Sequence, residues 1–253
     1  MSLAFLLPFA GLGIVVGVLI GCVGIGGVLL VPALVYLGGV EVHTAVATCM
    51  LVYLFSGTVG TLLYARRGSI DWPMAVWLCI GAMPAALLGA LVMTALPGRA
   101  LELLIAALVL FAGVNALAGR RAGAREQGSL EGPKLAALGA LTGFGSALSG
   151  TGGPLILIPL LVWLRLPALA AVGLGQAIQI PVALLATAGN LVAGSVALAL
   201  GALLAATLVG GTVAGARLAH AIPAKALERS VAGVLVLTGL FMLARLAAPL
   251  LGA

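Results

Sequence analysis

Gly21-Cys22-Val23-Gly24-Ile25-Gly26-Gly27-Val28-Leu29-Leu30-Val31-Pro32 is the stretch whose reading decides the fold. In a soluble chain such a glycine string would suggest a phosphate-cradling loop. Here no strand precedes it and no Lys of the phosphate-loop kind follows it. It lies in almost uninterrupted apolar sequence. A second copy, Gly150-Thr151-Gly152-Gly153-Pro154-Leu155-Ile156-Leu157-Ile158-Pro159, recurs half a chain later in the same setting. Two glycine turns inside apolar sequence belong to a membrane protein with interrupted helices, not to a nucleotide site.

Composition supports that class. Hydrophobic residues make up 63% of the chain and charged residues 7%, with a mean hydropathy of +1.32. A soluble globule of this composition would lack polar residues to cover its surface. Several apolar runs reach the ~20 residues a helix needs to cross a bilayer. They are continuously apolar rather than alternating, which argues against a β-barrel. The three cysteines, Cys22, Cys49 and Cys79, have neither metal-ligand nor disulfide spacing and read as small buried hydrophobes. No Lys or Arg precedes Leu3, so the charged start of a cleavable signal peptide is missing and the first helix is expected to stay.

The two glycine turns are part of a longer repeat. Adding 126 to a residue number takes Gly13, Gly17, Gly24, Gly26 and Gly27 to Gly139, Gly143, Gly150, Gly152 and Gly153. The same step takes Ala45-Val46 to Ala171-Val172, Gly68-Ser69 to Gly194-Ser195, Pro97 to Pro223, and Ala100-Leu101-Glu102 to Ala226-Leu227-Glu228. The chain therefore divides into a first repeat over 1–118, a charged cytoplasmic linker over 119–134 and a second repeat over 135–253. Each half contains five apolar segments: 3–23, 28–38, 44–65, 73–95 and 100–118, then 135–149, 154–164, 168–191, 195–219 and 224–246.

Positive charges orient these segments. If all ten cross, ten of the twelve Lys and Arg residues share one face (Arg66, Arg67, Arg120, Arg121, Arg125, Lys134, Arg165, Arg217, Lys225 and Arg229) and only Arg99 and Arg245 lie opposite. If segments 28–38 and 154–164 turn back without crossing, the split falls to seven against five. The bias favours ten crossings, both termini outside the cytoplasm, and halves of opposite orientation, because five is odd. The expected fold is an all-α polytopic membrane protein of about ten transmembrane segments, built as two inverted five-segment repeats.

Segments 28–38 and 154–164 are short: at ~1.5 Å per residue each spans about half of a ~30 Å hydrocarbon core. If they cross, the turn before each dips into the membrane, one from each side, and inversion brings the two together near the midplane. Bare backbone at that depth is tolerated where it is buried in protein or lines a cavity. Helix N-termini near Val28 and Pro154 then offer unpaired N–H groups to an anion without any Lys or Arg. Gly24, Gly26, Gly27, Gly150, Gly152 and Gly153 are thus the core candidates for a substrate site. Gly13, Gly17, Gly139 and Gly143 read instead as helix-packing glycines.

The chain resembles the TauE/SafE family of sulfite-exporter-like permeases over nearly its whole length. The resemblance rests on Gly24-Ile25-Gly26-Gly27 with Val31-Pro32, on Gly150-Thr151-Gly152-Gly153 with Ile158-Pro159, on Ala45-Val46-Ala47-Thr48, and on Gly68-Ser69-Ile70-Asp71-Trp72. It implies a multi-pass permease of the bacterial inner membrane for small sulfur-containing or organic anions, working as a secondary transporter. Export by alternating access is expected first; uptake of sulfonates or small carboxylates is the alternative within transport. Where the family pattern continues Ala-Val-Gly-Thr-Ser, the second half reads Ala171-Val172-Gly173-Leu174-Gly175-Gln176, so Gln176 and Gln179 stand in place of the hydroxyls.

Further intramembrane polar residues complete the candidate set. Gln176 and Gln179 share a helix face and could donate amide N–H groups to an oxyanion. Thr48 and Tyr53 lie in the corresponding helix of the first half, and Ser149 and Thr151 flank the second turn. Tyr64 and Asn190, at helix ends, are expected at the membrane interface, as is His43 beside Glu41. No Asp or Glu lies mid-membrane in these segments, so no carboxylate proton relay is apparent. No enzyme motif is present: H-E-x-x-H is missing and the chain holds only two histidines. The expected partners are a small anion and membrane lipids, with no cofactor and no metal. The scattered basic residues argue against nucleic acid. A structural subunit of a larger membrane complex is the remaining rival, and monomer and homodimer are equally compatible with the sequence.

Overall fold

The computed structural model describes residues 3–117, 131–193, 196–219 and 224–247. Among them every regular element is helical, in the order α1 (Leu3–Val23), α2 (Leu30–Tyr36, preceded by a 3-10 turn at Gly27–Leu29), α3 (Val42–Ala65), α4 (Trp72–Ala95), α5 (Gly98–Leu117), α6 (Gly132–Ser149), α7 (Pro154–Trp163), α8 (Ala168–Val192), α9 (Leu198–Leu218) and α10 (Ala224–Ala247). Five stretches, in α3, α4, α5, α8 and α9, are long and apolar enough to cross a membrane. Of the linker, residues 119–130, with Arg120, Arg121, Arg125 and Glu126, lie outside the described residues, as do Gly194, Ser195, His220 and Pro223. The linker's end is described: Lys134 Nζ pairs with Glu131 at 3.0 Å.

Local chemistry sets the helix ends. Glu41 caps α3 by accepting from the Thr44 N–H at 3.0 Å, and Asp71 caps α4 by accepting from the Met74 N–H at 3.1 Å. Pro73, Pro133 and Pro154 occupy first-turn positions, where a missing N–H costs little. His43 pairs with Glu41, and its Nε2 lies 2.9 Å from the Leu96 carbonyl, tying the start of α3 to the end of α4.

The helices pair across the halves. α1 packs along α9 and α6 along α4, so the first helix of each half lies on the fourth helix of the other; α3 packs on α8 and α5 on α10. The 126-residue step relates individual contacts too. A Cβ on Gly17 would meet the Leu208 carbonyl oxygen at 2.2 Å, and one on Gly143 the Ala82 oxygen at 2.4 Å. Likewise a Cβ on Gly215 would meet the Val18 oxygen at 2.1 Å, and one on Gly89 the Phe144 oxygen at 2.5 Å. These glycines bring helix backbones together, as small residues do in bilayers.

Contact registers give the helix directions. Gly13, Gly17 and Gly21 of α1 meet Thr207, Leu208 and Thr212 of α9 in rising order, so these helices run parallel. α3 also runs with α9: Thr48 bonds to Ala197 at one end and Arg67, just past α3, bonds to Ala216 at the other. α3 opposes α8, since Gly57 faces Gln179 and Gly60 faces Gln176. α5 opposes α10, since Gly113 faces Val236 and Gly239 faces Leu110.

Candidate functional site

The first turn begins where α1 ends. The Gly24 N–H bonds to the Ile20 carbonyl at 2.9 Å, and Gly24 itself takes φ 75°, a conformation that glycine adopts without strain. The chain then doubles back beside α1: a Cβ on Gly26 would sit 2.6 Å from Leu19 Cβ. The second turn is built similarly. Gly150 ends α6 in the left-handed region, its N–H bonding to the Ser146 carbonyl at 2.9 Å, and Gly152 and Gly153 follow at φ 81° and 113°.

Each turn is buried against the other half. A Cβ on Gly24 would meet Ile158 at 2.4 Å and Val172 at 3.4 Å; one on Gly150 would meet Val31 at 2.9 Å and Val46 at 3.1 Å. Val46 and Val172 are themselves related by the repeat. Tyr53 of α3, 1% exposed, stands between the turns. A Cβ on Gly27 would be 2.9 Å from its Cζ and Oη, and one on Gly152 would be 2.8 Å from its Cδ2. The Tyr53 hydroxyl donates to the Gly27 carbonyl.

The side-chain candidates are largely committed within the protein. Gln179, the repeat partner of Tyr53, donates through Nε2 to the Tyr53 carbonyl at 3.1 Å and to Ser56 Oγ at 3.0 Å. Gln176 Nε2 donates to the Ile20 carbonyl at 3.2 Å, so it braces the base of the first turn. Gln176 Oε1 is buried without a partner, over Gly60. Ser149 donates to the Gly145 carbonyl at 2.6 Å and lies 3.1 Å from Thr151 Oγ1. A hydroxyl has one proton, so Thr151 is the donor of that pair and both protons are spent. Thr48 Oγ1 accepts from the Ala197 N–H at 3.0 Å and ties α3 to the residue before α9, a role unrelated to the turns.

The main chain remains. No backbone hydrogen bond among the described residues takes up the N–H of Ile25, Gly26, Gly27, Val28, Gly152, Gly153 or Leu155, and all seven residues are buried. Buried backbone donors are nearly always paired, so the seven unclaimed N–H groups of the two turns are the donors with capacity for a further acceptor. Among the described residues no group of three or more His, Cys, Asp or Glu is placed to hold a metal ion.

Sequence reasoning overlooked Ser56, Gly57 and Gly60. Their spacing from Tyr53 puts them on the α3 face that receives Gln176 and Gln179, and that helical stripe was the available signal. Two residues expected at the membrane interface are covered by protein. Tyr64 is 1% exposed with its hydroxyl 3.0 Å from the Gly21 carbonyl, and Asn190 is fully buried. Neighbouring helices cover these two positions.

The chain is similar in sequence to known membrane transporters. The family model described as "Sulfite exporter TauE/SafE" matches residues 9–242. A "Probable membrane transporter protein" of Xylella fastidiosa (strain Temecula1 / ATCC 700964) is 28% identical over 180 residues, covering 68% of this chain and 69% of that protein. Its counterpart in strain 9a5c is 29% identical over 180 residues with the same coverage. "Probable membrane transporter protein YunE" of Bacillus subtilis (strain 168) is 30% identical over 89 residues, covering 32% of this chain and 33% of that protein. No solved structure matches. With a family match over most of its length, the chain belongs to the sulfite exporter TauE/SafE family: a multi-pass transporter of the cell membrane and not an enzyme.

Proposed function

We propose that the chain carries a small monoanion, sulfite in its hydrogensulfite form or a related sulfonate, out of the cell by alternating access, binding it at the main-chain N–H groups of the two glycine turns. The observation that carries this reading is the set of seven unclaimed, buried N–H groups. An unmet buried donor costs about 1–3 kcal/mol, which an oxyanion accepting several of them recovers. Helix N-termini add partial positive charge. The family's description supplies sulfite as the first substrate to test.

In this reading the chain crosses ten times, with inverted halves. Helix directions support it: α1 and α3 both run with α9, so the chain between them must return through α2. The helical stretches Gly27–Tyr36 and Pro154–Trp163 each hold ten residues, about 15 Å at 1.5 Å per residue. That is half of a ~30 Å core, which puts their N-termini near the midplane. Topology is testable at Leu37, 77% exposed after α2. With Cys22, Cys49 and Cys79 replaced, Leu37→Cys should react with a membrane-impermeant thiol reagent applied to intact cells. Reaction only in inverted vesicles would show that α2 turns back.

Energetics favour efflux without a coupling ion. A charge crossing an inside-negative membrane gains ~2.3 kcal/mol per 100 mV, which drives a monoanion outward. Sulfite flux through purified protein in liposomes should therefore follow an imposed potential, rising about tenfold or more in equilibrium accumulation for each 60 mV. Flux indifferent to potential but driven by a pH gradient would defeat this mechanism. Absence of any flux or binding with sulfite, thiosulfate, sulfonates and small carboxylates would defeat the anion reading altogether.

A further inference from the structure

The ring of Tyr53 occupies the space between the two turns that a shared anion would need. It lies against Gly27 on one side and Gly152 on the other, each so close that a Cβ would collide with it, at 2.9 and 2.8 Å. Its hydroxyl proton rests on the carbonyl of Gly27, a residue whose own N–H is unclaimed. At the matching place in the second half, Gln179 has its amide committed to Tyr53 and Ser56. The repeat is thus broken at its centre by one aromatic side chain with a donor held on the turn itself.

We propose that Tyr53 is the specificity-determining residue of the transport site. An anion bound at the N–H groups of the first turn takes over the Tyr53 hydroxyl from the Gly27 carbonyl, and the ring leaves its place between the turns. Exchange of a neutral acceptor for an anionic one is favourable, since charge-assisted hydrogen bonds are roughly twice as strong as neutral ones. The ring stays beside the bound anion and limits its size, so compact oxyanions are carried in preference to those with an alkyl tail. This inference rests on the anion-site reading above.

The test uses full-length protein in liposomes, with sulfite as the compact probe and propanesulfonate as the bulky one. Tyr53→Phe keeps the ring and removes the donor. Its KM for sulfite should rise about tenfold, the worth of one hydrogen bond to a charged group, with maximal flux within about twofold of wild type. A purely structural role would instead lower maximal flux at unchanged KM. Tyr53→Leu opens the space and should shift the propanesulfonate-to-sulfite flux ratio upward about tenfold. Either variant with wild-type behaviour in its own readout overturns the proposal. A third measurement does not depend on those variants folding: 3-fluorotyrosine at position 53 should change its 19F shift when sulfite saturates the protein, and an unmoved resonance in protein that binds sulfite also overturns it. Sulfite binding that is lost in Gly152→Leu but unchanged in Tyr53→Phe keeps the site and removes Tyr53. Wild-type protein that binds neither probe removes both.

Discussion

Gly152→Leu is expected to reduce anion flux below about a hundredth of wild type. The backbone at Gly152 has φ 81°, a region that costs an L-residue roughly 1–2 kcal/mol. The new Cβ would lie 2.8 Å from Tyr53 Cδ2, and the rest of the leucine would extend into the ring or across the turn. Tyr53 cannot retreat freely, because its hydroxyl holds the Gly27 carbonyl of the other turn. Strain at one turn is therefore passed to both, and misplacing binding groups by about 1 Å is enough for a ~100-fold loss. Gly210→Leu is the matched control, since nothing lies within 4 Å of a Cβ built there. Both variants are compared by flux per reconstituted molecule and by elution profile in detergent. Wild-type flux in Gly152→Leu would remove the second turn from the site.

Gly81→Ala should have the largest effect on stability. Its Cβ would fall 1.8 Å from the Ala136 carbonyl oxygen, deep in the contact between α4 and α6. The obstacle is backbone, so no rotamer change relieves it, and the two helices must separate along their length. Neighbouring contacts of the same kind, Gly139 on Leu78 at 2.0 Å and Gly143 on Ala82 at 2.4 Å, would open with it. Overpacking of this kind costs about 3 kcal/mol, which for a chain of this size corresponds to a fall of roughly 6–12 °C in Tm. Thermal unfolding of the purified protein, with Gly210→Ala as control, checks it. A shift below about 2 °C would mean that this helix pair is not as tightly apposed as its backbone contact requires.

Different parts of the site depended on different kinds of information. The glycine turns were legible because both copies keep the same glycines one repeat apart, and because a helix of about ten residues after each is visible as a short apolar run. Tyr53 could be placed in the right helix but not between the turns. Gln176 and Gln179 could be placed on one face, yet their amides go to the Ile20 and Tyr53 carbonyls and to Ser56, leaving the main chain as the uncommitted donor. Ser149 and Thr151 bond to each other and to Gly145, which spends their protons within the protein.

By itself the sequence determined the membrane class, the ten helical segments and the two glycine turns that interrupt them. Those features follow from terms that act segment by segment: transfer of apolar side chains into lipid, internal satisfaction of backbone hydrogen bonds, and the freedom of glycine at positive φ. Only the tertiary structure decided that α1 lies on α9 and α6 on α4, that both turns close on Tyr53, and which polar groups remain uncommitted. In an all-apolar chain many helix faces are chemically alike, so pairing is set by where small residues let backbones meet. The destination of a hydrogen bond is likewise known only once its acceptor, tens of residues away in sequence, has been brought beside it.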